Sequence, residues 1–246
     1  MRNLKLVIEY DGTRYKGWQK QKDNVATIQD KIEKVLSKMT SEDIQVVGCG
    51  RTDTGVHAKN YVANFHTHST LTNEDIFDYL YEYLPDDIVV KSVTDVHERF
   101  HARYNAKAKT YVYTINNSKH RDVFSRKYTY HTDAKLNFNA MRAAADILIG
   151  THDFQSFTAL KSDSKSTVRT INFIEIIEDG DMVQIEINGD GFLLNMVRII
   201  AGTLLEVGKG ELKPSDIARI LEEKKRSEAG PMAQAKGLCL KEVEYQ

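Results

Sequence analysis

The chain has 246 residues, of which 41% are hydrophobic, so it is long enough to bury the core of one large domain or of two smaller ones. Its 34 basic and 35 acidic residues leave a formal net charge of -1, which excludes a uniformly basic nucleic-acid-binding protein and leaves only local basic patches for that role. Its two cysteines, Cys49 and Cys239, form no closely spaced pair and no apolar run is long enough to span a membrane, so we expect a cytoplasmic protein without a disulfide framework.

The first half of the chain predicts six elements in the order β-α-β-β-α-β. Its first helix has an apolar face formed by Ile28, Ile32 and Leu36, and Thr27 stands in the N-cap position. Pro85 is expected to end the second helix, because proline cannot continue one. The predicted elements are strand 3–10, helix 27–39, strand 43–48, strand 56–67, helix 73–84 and strand 87–96.

The second half of the chain repeats this order of elements. Asp179-Gly180, between two strand-like segments, predicts a hairpin, and Gly150 follows a helix in the position where glycine is favoured. The predicted elements are strand 106–116, helix 138–149, strands 168–178 and 182–188, helix 192–207, a short helix after Pro214 and a closing strand 237–245. This order predicts an α+β fold of two ferredoxin-like halves, residues 1–104 and 105–246, each an antiparallel sheet backed by helices, with a cleft between them.

A glycine-hinged segment, Gly48–Ala58, separates two strand-like runs and is expected to present a carboxylate. Gly50 and Gly55 can supply positive φ or close backbone approach, and the charge of Arg51 can keep Asp53 ionised. A nucleophile needs that ionised state. The alternative is an ordinary Asp-Thr-Gly turn in which the arginine forms only a weak surface ion pair.

An aspartic protease also carries Asp-Thr-Gly in its active-site loop. Such an enzyme needs two carboxylates that share a proton, whereas this loop occurs once here and Arg51 favours the ionised form of Asp53. The residues therefore argue against a protease.

Several blocks in addition to the Asp53 loop stand in an order that resembles the tRNA pseudouridine synthase A (TruA) family. They cover almost the whole chain, which makes a chance match improbable. The blocks are Tyr10–Gln19, Phe100–Tyr104, Lys109–Tyr113, Thr151–Phe157, Gly191–Arg198, Ala229–Pro231 and Lys236–Leu240. Two positions depart from the usual pattern, Asn195 where some relatives have histidine and Gln234 where many have proline.

The resemblance implies an isomerase that converts uridine to pseudouridine at positions 38, 39 and 40 of the tRNA anticodon stem-loop. The reaction exchanges one glycosidic bond for another, so no cofactor or metal is expected, and the family acts as a homodimer. Asp53 would attack the ribose C1′, add to the uracil ring, or stabilise charge while the C2′ proton is removed. Asp11 is the nearest rival carboxylate, and a non-catalytic tRNA-binding module of the same fold is the alternative function.

The resemblance also assigns roles to four other residues. Arg51 would pair with the catalytic aspartate and assist base flipping, and Tyr111 would stack on uracil or transfer a proton. Arg198 would lie at the active site, where Asp53 is a plausible partner, and Leu238 would line the uracil pocket. Without the resemblance, Tyr111 and Leu238 would be interpreted as core residues and Arg198 as a residue on an exposed helix face.

Basic residues flank the aromatic residues of two blocks and are candidate phosphate contacts. Those that we single out are Arg14, Lys20 and Arg103. The alternative is a solvated surface, since most lysines and arginines are exposed.

Three histidines, His57, His66 and His68, suggest a metal site, with Asp53 as a further ligand. We give hydrogen bonding and packing more weight for His57, because it belongs to the recognised loop. His66 and His68 lie near a strand end, where exposed histidines are common.

Overall fold

A computed structural model describes residues 1–22, 25–160 and 166–245 of the chain. They form ten strands and five α-helices, and the expected α+β fold of antiparallel sheets backed by helices is confirmed. In chain order the elements are β1 (Arg2–Tyr10), α1 (Ile28–Thr40), β2 (Val47–Gly48), β3 (His57–Thr67), α2 (Asn73–Tyr83), β4 (Ile88–Val96), β5 (Ala108–Asn116), β6 (Tyr130–His131), α3 (Phe138–Leu148), β7 (Gly150–Asp153), β8 (Val168–Asp179), β9 (Met182–Gly189), α4 (Met196–Lys209), α5 (Asp216–Glu223) and β10 (Leu238–Glu244).

The chain divides into two compact units. The first contains Met1–Lys107 together with the segment that begins at Cys239, and the second contains Ala108–Leu238. The predicted halves, 1–104 and 105–246, are continuous in sequence, so they assign the last strand to the second half. These ranges stay a prediction as the limits of independently folding domains.

The sheet of the first unit has β1 at its centre, between β4 and β3 in antiparallel pairing. β2 pairs antiparallel with the other edge of β3, so the order β4-β1-β3-β2 follows the predicted ferredoxin-like pattern. β10 also pairs with β3, in parallel, through Cys239 opposite His57. Alternate β1 side chains, Leu4, Leu6 and Ile8, are fully buried and form the core of this unit.

Both helices of the first unit begin at residues with side-chain caps. The Thr27 side chain accepts a hydrogen bond from the Asp30 amide, which confirms the predicted cap of α1. Thr72 and Asp75 form a reciprocal capping box at the start of α2, which ends at Tyr83, shortly before Pro85.

The second unit has the strand order β5-β9-β8-β7, and β6 pairs in parallel with the end of β5. The predicted hairpin is confirmed: β8 and β9 are joined through Gly180, whose φ is 57°. α3 packs against α4 and against β8. None of the described helices combines the length and apolar composition needed to cross a membrane.

Most predicted limits differ from the structure by at most two residues, but two elements begin four residues later than predicted. The helix predicted from residue 192 begins at Met196, because Asn195 is left-handed, with a φ of 61°. Of the predicted strand 43–48, only Val47–Gly48 pairs with β3, because two earlier amides bond to side chains of α1 instead. The Ile44 amide donates to Ser37 Oγ and the Val46 amide donates to Glu33 Oε1, each at 3.0 Å.

Candidate active site

The Asp53 loop lies within the segment Gly48–Ala58 and connects β2 to β3. It is held by the block Tyr10–Gln19, which we call the opening segment. Asp53 itself is half-buried; the preceding residue, Thr52, is buried and the following residue, Thr54, is exposed. The Thr52 carbonyl accepts a hydrogen bond from the amide of Trp18 at 3.2 Å. Asp53 is thus partly exposed, on a backbone that is anchored at its neighbour Thr52.

Two glycines allow the close approach of these segments. Gly55 has the predicted positive φ, 78°, and the Val56 amide donates to the Asp53 carbonyl at 3.2 Å, which closes a tight turn. Gly17, in the opening segment, has a φ of 88°, and a Cβ there would lie 2.4 Å from the Thr52 carbonyl oxygen. Only glycine satisfies both conditions at position 17.

An aromatic pair supports the start of the loop. The rings of Trp18 and Tyr61 are stacked with centroids 3.9 Å apart, and the Tyr61 hydroxyl donates to the Gly50 carbonyl. A Cβ at Gly48 would lie 2.0 Å from that hydroxyl oxygen and 2.6 Å from Trp18 Nε1. The opening segment, the start of the Asp53 loop and β3 are thus packed closely against one another.

A groove of about 680 Å³ lies beside the loop and contains three of the predicted basic residues. These are Lys20, Arg51 and Arg103, whereas Arg14 does not line it. Tyr104, 77% exposed, stacks on His101 within this groove with ring centroids 4.1 Å apart. The groove therefore combines cations with a flat aromatic surface.

The basic residues proposed as phosphate contacts differ in whether a carboxylate of the protein already pairs with their positive charge. Arg14 forms an ion pair with Asp87, 2.7 Å from Nη2 to Oδ2, and hydrogen bonding to that carboxylate raises the pKa of Arg14. Lys20 Nζ lies 3.0 Å from Glu33 Oε2, and this hydrogen bond raises the pKa of Lys20. Arg103 makes no side-chain hydrogen bond or ion pair with the described part of the chain. Arg51 Nε donates to Gln19 Oε1 at 3.3 Å.

The rival carboxylate and the histidines have local partners. Asp11 Oδ1 accepts a hydrogen bond from the Thr13 amide at 2.9 Å and lies 3.1 Å from Nδ1 of the buried His57. His66 is exposed and its Nε2 lies 3.1 Å from the Glu98 carbonyl oxygen. Among the residues that the structure describes, no three His, Cys, Asp or Glu side chains are grouped as metal ligands would be.

Tyr111 lies on β5 in the second unit and is largely buried. Its ring meets Phe192 edge to face, with centroids 5.3 Å apart and planes at 90°. Tyr113, two residues further on the same strand face, is fully buried, and burial raises its pKa. The two tyrosines thus have the expected common face, with the ring of Tyr111 fixed in orientation by a second aromatic ring.

Arg198 lies in the first turn of α4 and is half-buried. Its Nε donates to the Ala233 carbonyl at 2.8 Å, and the Ala233 amide donates to the Arg198 carbonyl at 3.0 Å. The exposed helix position that we considered is therefore wrong for Arg198. Leu238 is buried at the start of β10, and a Cβ at the preceding Gly237 would lie 2.8 Å from Cζ of Tyr113.

His101 and Tyr104 belong to one of the sequence blocks, but the sequence did not predict that their rings stack. The available signal was a basic residue, Arg103, between two ring-bearing residues in a short segment after β4. Their spacing alone did not indicate that the rings contact each other, because a segment outside helices and strands has no fixed side-chain period.

Comparison with known proteins relates these blocks to one family. A family model described as tRNA pseudouridine synthase matches residues 6–105 and 144–246, which leaves Tyr111 outside the matched ranges. The tRNA pseudouridine synthase A 1 of Clostridium tetani is 66% identical over 245 residues, covering 100% of each chain. The tRNA pseudouridine synthases A 2 of Bacillus cereus and A of Clostridium acetobutylicum are 50% and 49% identical, again covering 100% of each chain. Both alignments span Tyr111.

Among solved structures, a Cbf5-Nop10-Gar1 complex matches with a TM-score of 0.37 and 12% identity. The match covers 96% of this chain and 57% of that chain. A TM-score of this size is too low to support an inference about the present molecule.

Proposed function

This chain belongs to the tRNA pseudouridine synthase family, and from that premise we propose that it converts uridine to pseudouridine at positions 38, 39 and 40 of tRNA, with Asp53 as the catalytic carboxylate. One observation supports the assignment of Asp53: it is partly exposed, on a loop whose backbone is anchored by hydrogen bonds. A carboxylate held in this way needs little reorganisation when it meets the reacting base.

The chemistry fits a single carboxylate. The N-glycosidic bond of uridine breaks, the detached uracil turns, and a bond from its C5 to the ribose C1′ replaces it. The C5 proton leaves, and N1 takes up a proton. The substrate and product have the same composition, so no oxidant or co-substrate is consumed. Asp53 attacks C1′, adds to the uracil ring or stabilises charge while the C2′ proton is removed, and each of these needs the ionised form.

Arg51 is proposed to assist the exit of the target base from its stack. A stacked and paired uridine is closed to a side chain, and extruding it costs a few kcal/mol that new contacts must offset. Arg51 is exposed, two residues from Asp53, and lines the groove that also contains Tyr104. A guanidinium can fill the space that the base leaves and can contact phosphate.

Tyr111, Arg198 and Leu238 are proposed as substrate contacts. The ring of Tyr111 is oriented by Phe192, which suits a residue that stacks on uracil. Leu238 supplies an apolar wall. The Nε of Arg198 donates to the Ala233 carbonyl, which holds the guanidinium group in a defined position for contact with the substrate.

Three broader properties belong to the same proposal. We propose that the anticodon stem-loop is the recognised part of tRNA, that the protein acts in the cytoplasm, and that it works as a homodimer. The first is tested by turnover on an isolated anticodon stem-loop, and the third by sedimentation at working concentration. Monomer alone, with full activity, would contradict the homodimer.

The decisive experiment compares Asp53→Asn with Asp43→Asn. Both substitutions remove one negative charge, and Asp43 is an exposed residue that lines the groove. Release of tritium from tRNA with 5-tritiated uridine should fall roughly a thousandfold or more for Asp53→Asn, the scale seen when a nucleophile is lost, and little for Asp43→Asn. Filter binding should show nearly unchanged tRNA affinity for both.

Two outcomes would overturn the proposal. Full turnover by Asp53→Asn would show that the Asp53 carboxylate takes no part in the reaction. A wild-type protein that binds tRNA but forms no pseudouridine would instead be a binding module of the same fold.

A further inference from the structure

The chain between β5 and α3 contains an exposed turn, Lys119–Tyr128, which we call the basic turn. Three large hydrophobic side chains of this turn face solvent: Val123 is 61% exposed, Phe124 is 92% exposed and Tyr128 is 48% exposed. Single exposed apolar residues are common, but three within six residues form a patch that marks a contact surface.

The Asp122 side chain stabilises the backbone at the tip of the basic turn. The Asp122 carboxylate accepts hydrogen bonds from the Phe124 amide at 3.1 Å and from the Ser125 amide at 2.9 Å. Hydrogen bonds from Ser125 and Phe124 lower the pKa of Asp122, so the carboxylate stays charged and the cap persists at neutral pH. The Tyr128 amide donates to the Ser125 carbonyl at 2.9 Å. Phe124 thus projects from a preformed backbone.

The base of the turn is fixed to the sheet of the second unit. Asn117 Nδ2 donates to the carbonyls of Thr132 and Ala134, at 2.8 and 2.9 Å. β6, directly after the turn, pairs with the end of β5 through Ile115 opposite Tyr130. A surface that is ordered before binding loses less conformational entropy when a ligand arrives.

The turn is strongly positive in a chain whose net charge is -1. It carries four basic residues, Lys119, Arg121, Arg126 and Lys127, against the single acid Asp122, which gives 4 - 1 = +3 with histidine neutral. Arg126 braces the turn through a 2.7 Å hydrogen bond to the Val123 carbonyl. Lys119, Arg121 and Lys127 make no hydrogen bond or ion pair with the rest of the described chain, so their charges are available to a ligand.

We propose that the basic turn is an RNA-binding element, in which Phe124 stacks on an unpaired base and Lys119, Arg121 and Lys127 contact the neighbouring phosphates. RNA matches both features of the turn, because its phosphates are negatively charged and its unpaired bases have flat faces. Proteins commonly bind such bases by stacking them on aromatic side chains. The inference takes its ligand class, a tRNA, from the proposed function. The turn lies outside the ranges that the family model matches, so the match itself assigns it no role.

The test compares Phe124→Ala with Phe124→Tyr. Because Phe124 is almost fully exposed, its truncation removes no core contact and the variants are expected to fold. Binding of an unmodified tRNA transcript, measured by filter binding, should weaken about tenfold for Phe124→Ala and stay close to wild type for Phe124→Tyr, which keeps a stacking ring. Tyr81→Ala is the matched control, since Tyr81 is 72% exposed on the acidic helix α2. It should bind as wild type does.

A second measurement isolates the charges. Arg121→Gln and Lys127→Gln should each lower the slope of log Kd against log salt by about 0.7 to 0.9, because each phosphate contact releases counterions. The assay reads binding, so it stays informative even if the wild-type protein shows no turnover.

Three results would overturn the inference: unchanged affinity of Phe124→Ala, equal losses for Phe124→Ala and Tyr81→Ala, or unchanged salt slopes. A shift of Phe124→Ala from dimer to monomer in sedimentation, with RNA affinity per subunit unchanged, would assign the patch to a second copy of the chain.

Discussion

The ring of Tyr61 stacks on the indole of Trp18, with centroids 3.9 Å apart and an angle of 24° between the planes. The two residues come from different blocks, the opening segment and β3, and the Asp53 loop starts beside them. The Tyr61 hydroxyl reaches the Gly50 carbonyl, so one side chain joins the aromatic pair to the backbone of the loop. The position of Asp53 therefore depends on contacts far from it in sequence.

Tyr61→Phe should keep the stack and remove the hydrogen bonds between the hydroxyl and the backbone of Gly50. The Gly50 carbonyl then loses a partner in a partly buried place, which should cost about 1–3 kcal/mol of unfolding free energy in a denaturant titration. If loop position matters for catalysis, kcat should fall more than tRNA affinity. Tyr81→Phe, on an exposed surface, serves as the control, and equal behaviour of the two variants would contradict this role of Tyr61.

Gly17→Ala should destabilise the protein more than Gly210→Ala. The two glycines have similar φ values, 88° and 84°, but a Cβ at Gly17 meets the Thr52 carbonyl at 2.4 Å, whereas one at Gly210 meets nothing within 4 Å. Gly210→Ala should cost about 1–2 kcal/mol from the left-handed backbone alone. Thermal or chemical unfolding of both variants would isolate the steric contribution, and equal losses would mean that the Thr52 contact relaxes freely.

Arg103→Gln should weaken the salt dependence of tRNA binding, and Arg14→Gln should change it less. Arg103 has no charged partner in the described chain, whereas Arg14 is paired with Asp87. A free guanidinium displaces counterions from RNA without first losing a protein partner, so the log–log salt slope should fall by about 0.7 to 0.9 for Arg103→Gln. The reverse order of the two variants would remove Arg103 from the RNA contact surface.

Tyr104→Ala should raise the Kd for tRNA about tenfold without lowering stability, because the ring is 77% exposed and stacks on the surface residue His101. Tyr104→Phe keeps the flat ring and should bind as wild type does. Competition binding with a labelled anticodon stem-loop would measure both. A loss of unfolding free energy in Tyr104→Ala would indicate a structural role instead.

Cys239 should react slowly with iodoacetamide at pH 8. Burial raises the pKa of its thiol from 9.0 to about 11, so only about one part in a thousand is thiolate at pH 8. The folded state holds this proton more tightly than the unfolded state does, so the stabilising effect is present below pH 9 and is lost as pH rises toward 11. Wild type and Cys239→Ala should therefore differ in unfolding free energy less at pH 11 than at pH 8. Rapid labelling of the native protein would contradict the burial.

Much of the secondary structure could be predicted because its signals are local. The apolar spacing of Ile28, Ile32 and Leu36, the cap at Thr27 and the Asp179-Gly180 turn each act over a few residues, and both the helix and the hairpin that they predict are present. One prediction failed because side chains of a neighbouring helix bind the backbone of the predicted strand. Glu33 and Ser37 of α1 take the amides of Val46 and Ile44, so the predicted strand there is short.

For the candidate site, the sequence by itself determined which residues to consider, since the Asp53 loop and the other blocks stand in one recognisable order. Only the tertiary structure decided their surroundings. It anchors the backbone beside Asp53 through Gly17 and Trp18, pairs Arg14 with Asp87, and gives Arg103 no charged partner among the residues that are described. The reason is physical: a cap or a helical face depends on neighbours along the chain, whereas the partner of a charge or of a carbonyl depends on which distant segments pack against it.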